Sequence, residues 1–396
     1  MGGGIFKERF PPIILLLALL SAFPPLATDM YLPALPLLQR EWQVPLVAIN
    51  LSLIAFFVTY CGFLLLYGPL SDRYGRKPPL LVGVGLFIFA CLFCSAALSP
   101  GMLVCGRILQ GAGAASSSAI VFAVSKDLFS GRQRQWVFVQ IGVIVSAAPI
   151  IAPILGGWIL TLFSWRWIFL FQTALGIVAF VGVMRMDESL RQQAAPGLAQ
   201  VAGSYLRLFR NHRYMILLLT LSCTCVPIFA FIGGSPDLYI TRLGFDEHQF
   251  GYFFGFNSLA FILAPLTYSR AARHVPVTRL LPWAFVGMFA ASLLLLCTWI
   301  PLPWRLTLPM FTLTFAFSFC RPASNNLILE QVDRDAGAAS SLMVFFYFMT
   351  GALAMWLFSF EWQDKIRTLG WMGVAAVGCT LALWPVAKRR LRPVSD

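Results

Sequence analysis

The sequence predicts an all-α membrane protein of twelve transmembrane helices, arranged as two pseudo-symmetric six-helix halves. Three observations lead to this prediction. Of the 396 residues, 59% are hydrophobic and only 11% are charged, whereas a soluble domain carries roughly 25% charged residues. The apolar residues form twelve runs of about the twenty residues that a membrane span needs. The longest polar gap, 185–212, separates the first six runs from the last six.

The predicted spans follow one another with short gaps. Lys7 and Arg9 precede the first run, as in a signal peptide, but that run continues past about twenty residues and eleven more follow it, which favours an uncleaved first helix. Pro301 and Pro303 leave room only for a tight turn between spans 9 and 10. The twelve spans are expected near residues 11–38, 45–70, 78–98, 101–124, 135–160, 166–184, 213–240, 249–269, 279–300, 304–328, 337–360 and 367–387.

The two halves are expected at 1–184 and 213–396, joined by a cytoplasmic linker at 185–212. Asp29-Met30-Tyr31-Leu32 near the end of span 1 is echoed by Asp237-Leu238-Tyr239-Ile240 at the corresponding place in span 7. The echo and the six-plus-six layout together fit two parallel-related halves with a substrate site between them.

The charge distribution predicts the orientation. The net charge is +13, and most of the 29 Lys and Arg residues fall at the termini and in alternate loops on one side. The positive-inside rule makes that side cytoplasmic, in a bacterial inner membrane with both termini inside. The rule accounts for the basic residues, so we expect no nucleic acid as a partner. The nine Cys residues lie mostly in apolar runs, where a thiolate is disfavoured, and no metal site is predicted.

A basic turn with the sequence GPLSDRYGRKP, opened by Gly68, joins spans 2 and 3. Gly75 permits a left-handed backbone, and Arg73 and Arg76 can anchor the turn at the lipid headgroups. Asp72, at the membrane edge, can accept hydrogen bonds from a helix N-terminus or pair with an arginine.

This turn resembles the signature loop of the major facilitator superfamily. RILQGAGAA at 107–115 resembles the span 4 motif of that superfamily, and APIIAPILGG at 148–157 is similar to the span 5 motif of its antiporters. TDMYLPALP at 28–36 and Gly234-Ser235-Pro236 are similar to the drug/proton antiporters of its bicyclomycin-resistance (Bcr/CflA) branch.

The resemblance implies the major facilitator fold, alternating access and a functional monomer in the lipid bilayer. It also implies proton-coupled export of small amphipathic molecules. The second half departs from the pattern, because its counterpart of the signature loop, SRAARH at 269–274, lacks the acid. A contact that locks the two halves together would therefore depend mainly on Asp72.

Ionisable side chains inside the predicted spans mark candidate coupling sites, because they are costly in lipid. Asp29 lies about 27 Å from the cytoplasmic end of span 1, and Arg107 lies about 10 Å inside the outer end of span 4. We expect Asp29 to accept the proton and Arg107 to tune the proton affinity of Asp29. The alternative is a static ion pair that holds spans 1 and 4 together. Asp237 is either a second proton or cation site or a solvated helix cap.

Arg321 in span 10 either extends to the cytoplasmic interface or faces the cavity with Asn325 and Asn326. In the cavity it would favour neutral or anionic groups over lone cations. Other polar and aromatic residues are candidate substrate contacts, although aromatic residues in spans also serve as core or lipid-facing groups. These candidates are Tyr31, Gln110, Gln140, Phe231, Tyr239, Tyr252, Phe256 and Asn257.

Span 5 carries Pro149, Pro153, Gly156 and Gly157. These residues bend a helix and let it pack closely against a neighbour. The close packing could keep protons from leaking during exchange, or it could be structural only.

The predicted function is proton-coupled drug efflux. Export of one native metabolite, such as a siderophore, amino acid or sugar, is the alternative, and a proton symporter is a weaker one because the span 5 segment resembles antiporters. An enzyme is not expected, because HExxH and GxSxG are absent and His212, His248 and His274 lie in or beside loops. Without a Walker A sequence, neither ATP nor any other cofactor is expected. The antiporter-like motifs also disfavour a receptor or channel.

Overall fold

A computed structural model of the chain describes residues 12–190, 198–332 and 334–389. Within these ranges the chain forms helices and no strands. Lys7 and Arg9, which contribute to the predicted orientation, lie outside the described residues. The N-terminal half contains span 1 (Pro12–Trp42), span 2 (Leu46–Tyr74), span 3 (Lys77–Ser95), span 4 (Pro100–Leu128), span 5 (Gly131–Leu162) and span 6 (Arg166–Arg185).

The C-terminal half repeats this arrangement. Ten of the twelve helices in the described chain are long and apolar enough to cross a membrane. Span 9, with the apolar stretch Arg279–Leu294, and span 10, which carries Arg305 and Arg321, are not among them. The helices are span 7 (His212–Arg242), span 8 (Glu247–Ala271), span 9 (Val277–Leu294), span 10 (Trp304–Leu329), span 11 (Ala336–Phe358) and span 12 (Lys365–Arg389).

The segment predicted as a polar linker contains an amphipathic helix, Leu198–Arg210. The Tyr205 hydroxyl donates a hydrogen bond to the Leu65 carbonyl of span 2, over 3.2 Å. Arg207 pairs with Asp335, directly before span 11, at 2.7 Å. This linker helix therefore contacts both halves. We call its side of the bundle the linker side and the opposite side the far side.

The first helix of each half is interrupted directly beside its acid. The α-helix of span 1 ends at Asp29, and a short 3₁₀ turn, Leu32–Ala34, precedes its second part. Pro33 has no N–H to donate to the Asp29 carbonyl, so the α-helix cannot continue there. In span 7 the α-helix ends at Pro236 and Asp237–Arg242 forms a π-helix. The sequence echo thus corresponds to a structural one.

The two halves are in close contact at the far side. Asn50 of span 2 donates hydrogen bonds to the Gly233 carbonyl of span 7 (3.0 Å) and to the hydroxyl of Ser359 after span 11 (2.7 Å). Spans 5 and 8 meet through glycines: a Cβ on Gly157 would lie 2.5 Å from the Glu247 carbonyl oxygen. Close backbone approach of this kind needs small residues at the contact. Of the two glycines predicted to allow close packing of span 5, Gly157 is therefore at a contact between the halves, whereas Gly156 packs against the backbone of Met30 in span 1.

Candidate functional site

A cavity of about 630 Å³ lies between the two halves. Pockets for drug-sized molecules typically measure about 300–1,000 Å³. Its lining on span 5 runs from Phe138 to Pro149, on the linker side of the glycine contact with span 8. The cavity is thus separated from the far side by the contacts between the halves.

The cavity wall is mostly apolar, and ten of its residues are aromatic. Phe57 of span 2 contacts Phe229 of span 7 (ring centroids 5.6 Å apart) and Phe348 of span 11 (5.3 Å), so the rings join the halves. Aromatic rings offer large apolar surfaces with few rotatable bonds. The aromatic lining residues are Phe56, Phe57, Tyr60, Phe122, Phe138, Phe229, Phe261, Phe317, Tyr347 and Phe348.

Two charged residues of the described chain lie in this wall, Asp29 from span 1 and Arg321 from span 10. Asp29 is 7% exposed, and the Thr28 hydroxyl donates a hydrogen bond to its carboxylate over 2.9 Å. Among the residues that the structure describes, no cation lies within ion-pair distance of Asp29. Asp29 is therefore an acid without a counter-charge, facing the cavity.

Arg107 is fully buried, but it does not pair with Asp29 as the sequence suggested. The Tyr31 N–H bonds to the Thr28 carbonyl, which leaves the carbonyl of Ala27 free at the helix end. Arg107 Nη1 donates to that carbonyl over 2.9 Å and also to the Gln110 side chain. No ion pair between Arg107 and Asp29 is formed in this conformation, so the static ion pair is not observed and the tuning role of Arg107 stays a prediction. Arg107 instead bonds to the backbone of span 1, two residues before Asp29.

A glutamine chain completes this network behind span 1. Gln110 Nε2 donates to Gln172 Oε1 over 2.7 Å, and Gln172 Nε2 donates to the Leu26 carbonyl over 3.2 Å. The Arg107 guanidinium also lies 4.9 Å from the Tyr31 ring centroid, and the Tyr31 hydroxyl bonds to Ser52. Gln110 and Tyr31 therefore belong to the network that supports the interrupted helix of span 1, and neither residue lines the cavity. Gln172 was not foreseen.

Arg321 faces the cavity, which decides between its two predicted positions. Its guanidinium lies 3.7 Å from the Tyr347 ring centroid and 4.4 Å from that of Phe317. Nη2 donates to the Cys225 thiol over 3.2 Å. Asn325 lies next to Tyr347 and accepts a hydrogen bond from the Tyr347 hydroxyl over 3.3 Å.

Asp237 is a buried ion-pair partner rather than a solvated cap. Its carboxylate lies 3.1 Å from Arg242 Nε and 3.0 Å from Lys365 Nζ. Lys365 is itself only 3% exposed, so it joins the start of span 12 to span 7. Unlike Asp29, Asp237 is held by two cations and lies outside the cavity wall.

The other predicted substrate contacts lie away from the cavity. Phe231 is buried on Phe254, Tyr239 bonds to Thr307 over 3.0 Å, and Asn257 accepts from Thr314 over 3.2 Å. Phe256 is 39% exposed on the outside of the bundle, and Gln140 lies on span 5 outside the lining. A rise per residue gives the depth of a side chain along a helix but not the face that it occupies, so the sequence could not place these residues relative to the cavity.

The turn between spans 2 and 3 is the centre of a second polar cluster. Gly75 has a positive φ of 93°, as predicted. Arg76 pairs with Asp72 and, at 2.8 Å, with Asp127 at the end of span 4. Arg73 is exposed at the surface and Gly68 has free space around it. Among the described residues Asp72 forms no bond to the other half, so no lock between the halves is made here.

Glu188, after span 6, takes the helix-capping role that the sequence gave to Asp72. Its carboxylate accepts the N–H groups of Arg76 (2.8 Å) and Lys77 (3.0 Å) at the start of span 3. Partial burial raises the pKa of Glu188, but the N–H groups of Leu190, Arg76 and Lys77 outweigh this and hold the pKa below its ordinary value. Neither Glu188 nor Asp127 carries a sequence signal that would have identified it.

Comparison with known proteins decides the family. The family model "Major Facilitator Superfamily" matches residues 17–355. The chain belongs to this superfamily. The chain and a protein named bicyclomycin resistance protein homolog from Haemophilus influenzae are 28% identical over 390 residues, covering 96% of this chain and 97% of the relative. The identity to the multidrug resistance protein MdtL from Klebsiella pneumoniae is 31% over 226 residues, 56% of this chain and 57% of that protein.

A solved structure supports the fold. The crystal structure of a D-xylose-proton symporter matches with a TM-score of 0.75 at 15% identity, covering 94% of this chain and 97% of that chain. The protein is therefore a multi-pass membrane transporter of the major facilitator fold, with twelve helices, and not an enzyme. The predicted fold class and family are confirmed.

Proposed function

We propose that this transporter is a proton-coupled antiporter that exports small amphipathic molecules by alternating access. The observation that carries the proposal is Asp29, an acid without a counter-charge among the described residues, in the wall of an aromatic cavity between the halves. An acid inside a membrane span is a functional site by default. The names of the bicyclomycin-resistance and multidrug-resistance relatives support the cargo class.

The coupling step uses Asp29 as the site that protons and cargo share. Because no ion pair among the described residues has to break, the carboxylate can exchange its proton with the cavity directly. Arg107 fixes the end of the first α-helix of span 1 through the Ala27 carbonyl and so sets the position of Asp29. Asp237, paired with Arg242 and Lys365, serves the structure of the second half in this scheme.

We further propose that the linker side is cytoplasmic, in a bacterial inner membrane, because the basic loops lie there. The halves 1–184 and 213–396 would then rock about the cavity, joined by the linker 185–212, in a functional monomer. In the conformation described, the far-side contacts of Asn50 and Gly157 are made. Cargo enters the cavity from the linker side and leaves after these contacts open.

The test is cargo-induced proton movement in energised inside-out membrane vesicles, with a broad panel of drugs and metabolites. Wild type, Asp29→Asn and the exposed-acid control Asp187→Asn are compared. We expect at least one compound to dissipate the proton gradient with wild type and the control but not with Asp29→Asn. Equal proton movement with Asp29→Asn would contradict the role of Asp29, and protons that move in the same direction as the cargo would identify a symporter.

A further inference from the structure

We propose that the cavity selects aromatic amphipaths without net charge, that Arg321 and Ser318 hold the ligand's hydrogen-bond acceptor, and that permanent cations are rejected. The inference rests on the proposed function only in taking this cavity as the place where cargo binds. It adds the chemical class of the cargo and a subsite in span 10.

Two buried polar groups in the cavity wall lack a partner. Nη1 of Arg321 and the hydroxyl of Ser318 have no hydrogen-bond partner among the described residues. Both residues line the cavity, and Ser318 is only 4% exposed. They lie three residues apart on span 10, which places them on one face of the helix. Buried donors without a partner are costly, so a ligand acceptor at this position would satisfy both.

The surroundings of Arg321 fix its side chain and leave Nη1 of the guanidinium without a hydrogen-bond partner among the described residues. The guanidinium lies against the rings of Phe317 and Tyr347, and Nη2 is used by the Cys225 thiol. Among the described residues no carboxylate lies within ion-pair distance of Arg321. The wall of the second half therefore presents an uncompensated positive charge, which repels a permanent cation and attracts an acceptor.

Asp29 presents the opposite charge from the first half. In the antiport cycle the cargo-loaded cavity holds Asp29 without its proton, so the charges of Asp29 and Arg321 cancel. A cargo without net charge keeps this balance, with an acceptor at Arg321 and a donor at Asp29. A monoanion or a monocation would leave one buried charge uncompensated, which is unfavourable. The aromatic rings of the remaining wall favour an aromatic body.

The test measures binding to the purified full chain by calorimetry at pH 8, without a proton gradient. Four probes share a naphthalene body and carry a carboxamide, an α-amino-acid zwitterion, a carboxylate or a trimethylammonium group. We expect the carboxamide and the zwitterion to bind at least about tenfold tighter than the trimethylammonium probe. Arg321→Gln should weaken these two by about tenfold or more, and Ser318→Ala by about threefold to tenfold. Arg273→Gln, at an exposed arginine between spans 8 and 9, is the matched control and should change nothing.

Three results would overturn the proposal: trimethylammonium or carboxylate binding as tight as that of the net-neutral probes, Arg321→Gln affinities within twofold of wild type, or no binding of the net-neutral probes. Loss of a buried arginine can unfold the chain, so the probe ranking on wild type and the Ser318→Ala result stand independently. The affinity ranking of the four probes does not depend on proton coupling, because the binding assay uses no proton gradient. The vesicle assay with Asp29→Asn, in turn, does not depend on the ranking.

Discussion

Substitution of Gly157 by alanine should open the far side of the transporter. The new Cβ would lie 2.5 Å from the carbonyl oxygen of Glu247 and 2.9 Å from Cα of His248, both backbone atoms of the other half. Ordinary Cβ contacts begin at 3.4 Å, so spans 5 and 8 must separate by about 0.9 Å at this point. Overpacking of this kind typically costs about 1–3 kcal/mol. The cost falls only on the conformation in which the far side is closed.

A cost of about 1–3 kcal/mol corresponds to a shift of about 5- to 150-fold in the equilibrium between far-side-closed and far-side-open forms. Hydrogen–deuterium exchange with mass spectrometry can detect the shift without labels. We expect at least about fivefold faster exchange in peptides that cover the far-side ends of spans 5 and 8. Because the halves rock about the cavity, the linker-side ends of the same spans should become more protected.

Gly62→Ala is the matched control, because a Cβ on Gly62 of span 2 meets no atom within 4 Å. Alanine is a better helix former than glycine by roughly 0.8–1.0 kcal/mol, so both substitutions favour the helical state and only one creates a clash between the halves. Unchanged far-side exchange in folded Gly157→Ala would refute the argument that this glycine contact closes the far side.

Three further substitutions test other parts of the account. Asn50→Ala removes two hydrogen bonds between the halves and should likewise speed far-side exchange; unchanged exchange would contradict this. Glu188→Gln should lower the melting temperature at pH 7, whereas Asp187→Asn should not. Because the pKa of Glu188 is held below its ordinary value of about 4.3, its stabilisation is present above that pH and is lost as the pH falls further. The gap between variant and wild-type melting temperatures should therefore shrink below about pH 4, and a constant gap would exclude a role for the charge. Lys365→Met should destabilise by less than the about 3–5 kcal/mol that breaking a lone buried pair costs, because Arg242 still pairs with Asp237, and adding Asp237→Asn should recover part of this loss in the same melting assay; no recovery would contradict a direct pairing.

The fold could be predicted because it depends on one-dimensional properties of the chain. The length of apolar runs gave twelve spans, and the positive φ of Gly75 followed from a turn that needs glycine. The echo of Asp29 and Asp237 predicted that the two acids occupy corresponding places in two related halves, but it did not predict that both lie at interruptions of a first helix. Span 10 departs from a simple apolar helix, because it carries Arg305 and Arg321.

The site could be predicted only in part, since side-chain partners depend on the rotation of each helix. Asp29 and Arg321 do lie in the cavity wall. Arg107 lies at a depth in the membrane from which it could reach Asp29. Its guanidinium instead donates a hydrogen bond to the Ala27 carbonyl, which is left free at the end of the helix. A free backbone carbonyl has no sequence signature apart from the proline after it. The same limit explains why the capping role of Glu188, distant in sequence from the turn, was not foreseen.

The most direct test of the account is proton release when cargo binds to the purified transporter. A compound identified in the vesicle assay is added to the protein in weakly buffered detergent solution, and the proton yield is measured in two buffers of different ionisation enthalpy. If protons and cargo share Asp29, wild type should release protons on binding, Asp29→Asn should release none, and Asp237→Asn should behave as wild type. The same proton release from Asp29→Asn as from wild type, or cargo binding to wild type without any release, would contradict the central claim.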